Sequence, residues 1–395
     1  MNILFYCSEY PPFRNGGIGS VTKIVAESLV KLGHRVVVAG YYPSMPKQEI
    51  VENINGVCVY RYGLGVRNSW FKNKMWQISN KLHFSKIINQ REINFIEGKI
   101  SELIELNNID LLELTDYYTM VYCKNTLRFR KFNIPTILRI HGSVSFINDM
   151  AGNPFDILHK NDCAHFNRCD HVLAVSEFSL NYIREKFILP NIKSYGVIYN
   201  PIEDSIIHKA TPSDKDTVLF LGRLTKEKGA ISLVKAFNLC AGKNTRIRLQ
   251  FLGAGDAKTL LEHVDSQYHD RIEFLGHCNR QKVVESIDQC SFACIPSYFE
   301  NFSMAALEVM SRNKTIIFTE RASGKELIND GVNGFAVDPD NISLISERML
   351  YLANNRSMRD EMANNAYNDI VEKFPISKIV EQLEQYYHKI ISEHR

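Results

Sequence analysis

Two glutamates, Glu300 and Glu308, stand eight residues apart in the stretch Phe299-Glu300-Asn301-Phe302-Ser303-Met304-Ala305-Ala306-Leu307-Glu308. The apolar run Ser291 to Pro296 ahead of it reads as a buried strand, and Met304 to Met310 reads as an amphipathic helix. Glu300 then falls in the strand-to-helix loop, beside amides that point out of a helix start and attract an anion. Glu308 lies about two turns further on. Two carboxylates flanking an anion-binding helix start suit a long ligand with hydroxyls at both ends and phosphates between. Taken alone, the pair reads more readily as two solvated acids around an ordinary helix start.

The cations come from a second stretch, Gly222-Arg223-Leu224-Thr225-Lys226-Glu227-Lys228-Gly229, which directly follows the β-rich run Thr217–Leu221. Arg223 and Lys228 therefore share a strand-end loop with a glycine at each end, where the backbone can turn and approach a ligand closely. A guanidinium fork and a flexible ammonium neutralise oxygen charge as a bond to phosphate breaks. Near the N-terminus, Gly16-Gly17-Ile18-Gly19 joins a strand to a helix, so its amides are positioned to cradle an anion. His141 ends the apolar run Thr136–Ile140 and precedes a glycine, which aims it at the ligand crevice of an open α/β sheet.

Other motifs carry less. Gly253-Ala254-Gly255 follows the strand-like Arg248–Leu252, but the third glycine of a dinucleotide fingerprint is replaced by Lys258. His159, Cys163, His165, Cys169 and His171 have zinc-ligand types. On a helix the pair at 159 and 163 is rotated by about 200° from the pair at 165 and 169, so they do not converge on one ion. Asp338-Pro339-Asp340 reads as a turn. GxSxG and GxxxxGK[ST] do not occur.

The elements that must hold these residues alternate throughout. Strand-like runs at Ile3–Cys7, Val36–Ala39, Leu111–Leu114, Thr136–Ile140 and His171–Val175 alternate with helical periodicity, as parallel sheets covered by helices require. In the helix near Ile18–Leu32, Val21, Ile24, Val25, Leu29 and Leu32 form one stripe. Turn formers without apolar periodicity between Ile192 and Asp216 mark a domain boundary, and a second alternating series starts at Thr217. A last helix, Ser377 to Ser392, follows Phe374-Pro375.

Taken together, Pro11-Pro12, Gly16-Gly17, Gly33-His34-Arg35-Val36, His141-Gly142, Ala174-Val175-Ser176, Tyr199-Asn200-Pro201, the Gly222–Gly229 loop, Gly253-Ala254-Gly255, the two glutamates and Asn333-Gly334-Phe335 resemble, nearly end to end, the family-four retaining glycosyltransferases of bacterial surface-polysaccharide type. The resemblance implies an α/β fold of two Rossmann-like domains facing across a cleft (GT-B). Residues 1–200 would form the acceptor-side domain, 201–374 the nucleotide-sugar domain, and 375–395 a helix crossing back to the first. It implies a UDP- or GDP-sugar donor, a hydroxyl acceptor such as a lipid-linked glycan of O-antigen or capsule synthesis, no cofactor and no metal. By the same resemblance Glu308 takes the ribose hydroxyls, Arg223 and Lys228 the diphosphate, and Glu300 the sugar C3 and C4 hydroxyls. The Gly16-Gly17 loop and Gly222 approach the donor phosphates, and the amides after Asn301, those of Phe302, Ser303 and Met304, hold the distal phosphate. His141 contacts the reacting sugar, and Asp116 is a lesser candidate on the acceptor side. Two positions depart from the family pattern: Asn301 replaces a small residue, and Ser311-Arg312-Asn313-Lys314-Thr315 lacks the usual Gly-Pro. A nucleotide-sugar epimerase of the same architecture and a non-catalytic sugar-nucleotide-binding regulator are the alternative readings.

Composition fits this expectation. A chain of 395 residues, 45% hydrophobic, can bury two cores, and a net charge of +3 is too mild to make nucleic acid the main partner. Nine cysteines without a CxxC pair suit a reducing cytoplasm, and Met1–Cys7 reads as a buried strand without the basic flank of a signal peptide. No apolar stretch reaches the ~18 residues of a membrane span, so the expected location is cytoplasmic, free or peripheral on the inner membrane. Residues 61–91 hold seven bases (Arg61, Arg67, Lys72, Lys74, Lys81, Lys86 and Arg91), no acid and both tryptophans, Trp70 and Trp76. Phe71, Met75, Ile78 and Leu82 form a helical stripe there that would either meet an anionic membrane surface or pack into the first domain.

Overall fold

In the computed structural model, residues 1–395 are described except 13–15, 83, 117–124, 154, 214 and 395. The chain forms two compact units, Met1–Pro201 with Ile376–Arg395, and Ile202–Pro375.

The first unit is built on an eight-stranded sheet of β1 (Asn2–Tyr6), β2 (Arg35–Tyr41), β3 (Gln48–Ile54), β4 (Val57–Gly63), β5 (Leu111–Thr115), β6 (Thr136–Ile140), β7 (His171–Ala174) and β8 (Ser194–Val197). Their order is β3-β4-β2-β1-β5-β6-β7-β8, parallel except for β3 against β4. Strands β5, β6 and β7 are buried along their whole length (Leu111 and Leu112 are fully covered), because helices lie on both faces of a parallel sheet. The β3–β4 hairpin was not expected, although Asn55-Gly56 is its signal. Both residues take positive φ (52° and 88°), the geometry of a two-residue turn whose twist matches its strands.

The helix Gly17–Lys31 buries Val21, Ile24, Val25 and Leu29, but Leu32 of the expected stripe is exposed. The helix stops one residue before it, and Gly33 turns the chain away at φ 88°. The terminal helix Ile376–His394 packs on this unit through Ile379, Val380, Leu383 and Tyr387. The Tyr387 hydroxyl donates to Glu113 Oε2 at 2.6 Å, and His34 Nε2 meets Glu384 Oε1 at 2.7 Å.

The 61–91 stretch divides. Arg61 lies in β4, fully buried, paired with Glu52 and donating to the Pro11 carbonyl, so it is no surface base. Arg67 pairs with Glu92 and stacks 4.1 Å over the Trp76 ring, whose Nε1 donates to Asn89. The stripe, by contrast, faces solvent. On the helix Trp70–Lys81, the start of the helix Lys86–Leu106 and the connection between them, Trp70, Phe71, Met75, Ile78, Leu82, Phe84 and Ile87 are all exposed, Trp70 by 79% and Ile87 by 82%. Among the described residues no helix is long and apolar enough to cross a membrane.

The second unit carries an all-parallel sheet of β9 (Thr217–Leu221), β10 (Arg248–Leu252), β11 (Ile272–Gly276), β12 (Phe292–Ile295), β13 (Thr315–Thr319) and β14 (Phe335–Val337), in the order β11-β10-β9-β12-β13-β14. Its core joins Phe220, Phe237, Phe251, Ile317 and Met349. The order reverses between β9 and β12, and in open α/β sheets ligands bind beside the carboxyl ends of the strands at such a switch point. Both chemistry-bearing stretches leave from these two strands.

Candidate functional site

Lys228 and Glu300 meet. The loop after β9 ends at Gly229, the loop after β12 carries Glu300, and Lys228 Nζ lies 2.7 Å from Glu300 Oε1. Ser297 Oγ donates to the same oxygen at 2.9 Å. The Glu300 backbone is fixed separately, its carbonyl accepting from Ser323 Oγ at 2.9 Å and Ser323 N at 3.2 Å. Glu300 is buried and the Lys228 side chain part-exposed, so the ammonium bridges a fixed carboxylate and solvent.

The two loops touch because Gly229 permits it. It adopts φ 75°, and a Cβ there would stand 1.9 Å from the Pro296 carbonyl oxygen. The Tyr298 amide donates across to the Glu227 carbonyl at 2.8 Å. The neighbouring loop after β10 closes on the first in the same way. Gly253 has φ 150°, a Cβ on it would lie 1.9 Å from the Gly222 carbonyl oxygen, and Leu224 N donates to the Ala254 carbonyl at 2.9 Å. The glycines of 253–255 thus serve loop packing. Arg223, between these contacts, is exposed.

The helix Met304–Ser311 starts where the sequence places it. Ser303 caps it, Oγ accepting from the Ala306 amide. The Phe302 ring is buried against Phe374 with centroids 5.4 Å apart. Of the two departures from the family pattern, Asn313 takes the left-handed φ 57°, a conformation asparagine tolerates; Asn301 does not use it.

At the other end, Glu308 is met by Arg280, whose Nη1 contacts Oε1. Burial pushes the Glu308 carboxyl above its usual range, and the Arg280 cation opposes that shift. The sequence reading passed over Arg280, Ser297 and Ser323, because these contacts span 28, 3 and 23 residues and carry no motif. It did read Asp338-Pro339-Asp340 as a turn, and there Arg321 pairs with both acids at 2.7 Å while Tyr298 donates to Asp340 at 2.6 Å.

In the first unit, the His141 and Gly142 amides donate to Asp116 Oδ1 and Oδ2 at 3.0 and 2.7 Å. Burial, aided by the Arg139 cation, lowers His141 to about 3, so it is a neutral imidazole at physiological pH. Burial also raises Asp116 to about 7. Gly16 caps the helix Gly17–Lys31, but the Glu9 carboxylate occupies the space a Cβ on Gly16 would take, so an anion already stands near that helix start. The histidines and cysteines of 159–171 are used apart: His159 with Cys163 at 3.5 Å, His165 on the Thr115 carbonyl, and His171 on Ser194.

Two family models match consecutive parts of the chain: Glycosyltransferase Family 4 over residues 15–205, and Glycosyl transferases group 1 over residues 202–369. An uncharacterized glycosyltransferase of Methanocaldococcus jannaschii is 26% identical over 97% of this chain and 96% of its own. Among solved structures, sucrose-phosphate synthase from Thermosynechococcus elongatus superposes with a TM-score of 0.79 at 15% identity, covering 99% of both chains. Anabaena HepE, in complex with UDP and glucose, gives 0.71 at 17% identity, covering 98% of this chain and 99% of its own. With both halves matched in order and the fold shared over full length, the chain belongs to the family-four glycosyltransferases of GT-B fold.

Proposed function

We propose that the protein transfers a sugar, with retention, from a UDP- or GDP-linked donor to a hydroxyl acceptor. The observation that carries this is the Lys228–Glu300 contact at 2.7 Å: a cation and a buried carboxylate side by side, beside a capped helix start. HepE, holding UDP and glucose, supports a nucleotide-sugar donor for the shared fold.

In this reading Glu300, fixed by Ser297 and Ser323, accepts hydrogen bonds from the sugar C3 and C4 hydroxyls. The amides of Phe302, Ser303 and Met304 face the distal phosphate, and Glu308 the ribose. The bond from sugar C1 to the phosphate oxygen breaks, the acceptor oxygen bonds to C1 on the same face, and the acceptor proton passes to the departing phosphate. Lys228 and Arg223 neutralise the charge that grows there, a term that dominates such displacements. His141, neutral at working pH, serves as a hydrogen-bond partner and not as a base.

Because these two cations supply the charge, product formation from a panel of sugar nucleotides is expected to persist in excess chelator. Loss of activity, restored by a divalent ion, would overturn the phosphate assignment. Product from donor alone, without acceptor, would favour an epimerase.

The acceptor we propose is a lipid-linked glycan, reached from an anionic membrane on the cytoplasmic face. Support comes from the exposed apolar stripe of Trp70, Phe71, Met75 and Ile78, edged by the exposed bases Lys72, Lys74, Lys81, Lys86 and Arg91. Apolar anchors in a basic margin complement a negatively charged lipid interface. Each engaged base contributes about 1 kcal/mol, so three or four give reversible, salt-sensitive binding. Co-sedimentation with anionic but not neutral vesicles is expected, weakened by salt and by changing Lys72, Lys74 and Lys81 to glutamate. A protein that ignores anionic vesicles at low salt would have a soluble acceptor.

A further inference from the structure

Arg280 is the first residue of the helix Arg280–Gln289, whose cap Asn279 accepts from the Lys282 amide at 2.9 Å. A cation is disfavoured at a helix start, where the macrodipole is positive. Arg280 nevertheless stands there with its Nη1 on Glu308 Oε1. The carboxylate it meets is only 14% exposed, whereas the arginine side chain is 47% exposed. The other charges around Glu308 do not replace Arg280. Glu203 repels it, and Arg312, one turn along, is held by Asp288 through Nε at 2.8 Å and Nη2 at 2.5 Å.

We propose that Arg280 is the positioning residue of the ribose subsite, fixing Glu308 through Oε1 as an oriented carboxylate whose second oxygen receives the sugar hydroxyls of the nucleoside diphosphate. This rests on the reading of Glu308 as the ribose acceptor. The physical need is plain. A protonated carboxyl is a poorer acceptor than a carboxylate and can direct its own O–H outward, and burial drives Glu308 toward that form while Arg280 holds it back. Contact through one oxygen leaves the other for the ligand, and the exposed guanidinium keeps the contact adjustable.

UDP, GDP and ADP are titrated calorimetrically into the wild-type protein, and the tightest is carried to Arg280→Ala, Arg280→Lys and Glu308→Gln, each checked by thermal unfolding. Arg280→Ala is expected to weaken binding about tenfold near neutral pH. Without the cation the Glu308 pKa climbs further, so the protonated fraction grows as pH falls. The deficit should therefore widen as the pH falls and narrow as it rises. Arg280→Lys should restore most of the affinity, and Glu308→Gln should bind weakly with no such pH trend. Wild-type affinity for Arg280→Ala at all pH values, with Glu308→Gln weak, overturns the role of Arg280 alone. Wild-type affinity for Glu308→Gln, or no nucleotide bound by the wild type, overturns the ribose reading beneath it.

Discussion

Lys228→Ala and Arg223→Ala are each expected to lower turnover by at least tenfold, and the double variant by far more, with the fold intact. A charge-assisted hydrogen bond to a departing phosphate is worth about 1.5–3 kcal/mol, which corresponds to roughly ten- to a hundredfold in rate. The two variants should differ in stability. Arg223 is exposed, so its loss should leave the melting temperature where it was. Lys228 neutralises a buried carboxylate at 2.7 Å, and its removal leaves Glu300 with Ser297 as its side-chain partner. A modest fall in melting temperature is therefore expected for Lys228→Ala, and Lys228→Ala with Glu300→Gln should recover it without recovering turnover. Steady-state rates on a sugar nucleotide, read beside thermal unfolding, check both points. Wild-type turnover in the folded double variant would end the assignment.

Gly229→Ala should be nearly as damaging for a different reason. At φ 75° the added methyl meets a left-handed backbone, and it would stand 1.9 Å from the Pro296 carbonyl oxygen, an atom of the main chain that no side-chain rotation moves. The left-handed conformation costs about 1–2 kcal/mol and local overpacking about 1–3 more. The relief is for the loops after β9 and β12 to part, which carries Lys228 away from Glu300. A loss of roughly 2–5 kcal/mol in unfolding free energy is expected, together with more than tenfold in turnover, since displacements near 1 Å at a reacting centre are costly. Denaturant melts and steady-state kinetics on the same preparation read both. A variant as stable and active as the wild type would show that the loops need not touch.

Local rules made much of the molecule legible. The strand at Leu111–Leu114, the helix start at Met304 and the glycine-bounded loop at 222–229 are short-range signals, each set by what a few consecutive residues can do with their backbone. The same kind of signal was present and passed over at Asn55-Gly56, where both residues take positive φ and turn β3 into β4.

Other features had no local signature. Arg61 sits among seven bases and reads as surface, yet it is buried because Glu52 of β3 and the Pro11 carbonyl receive it. Arg280 over Glu308 joins residues whose nearness depends on how strands are ordered in a sheet. The stripe of Phe71, Met75 and Ile78 shows the division most clearly. Helical periodicity determines that one face is apolar, and it is the same periodicity whether that face packs on a core or meets solvent. Sequence alone therefore determined the element types, the two alternating series and the residues able to do chemistry, because these follow from backbone geometry and side-chain type. Which charges pair, which glycines are indispensable and which apolar face stays uncovered were decided by the tertiary structure, because each depends on atoms brought close by chain segments far apart in sequence.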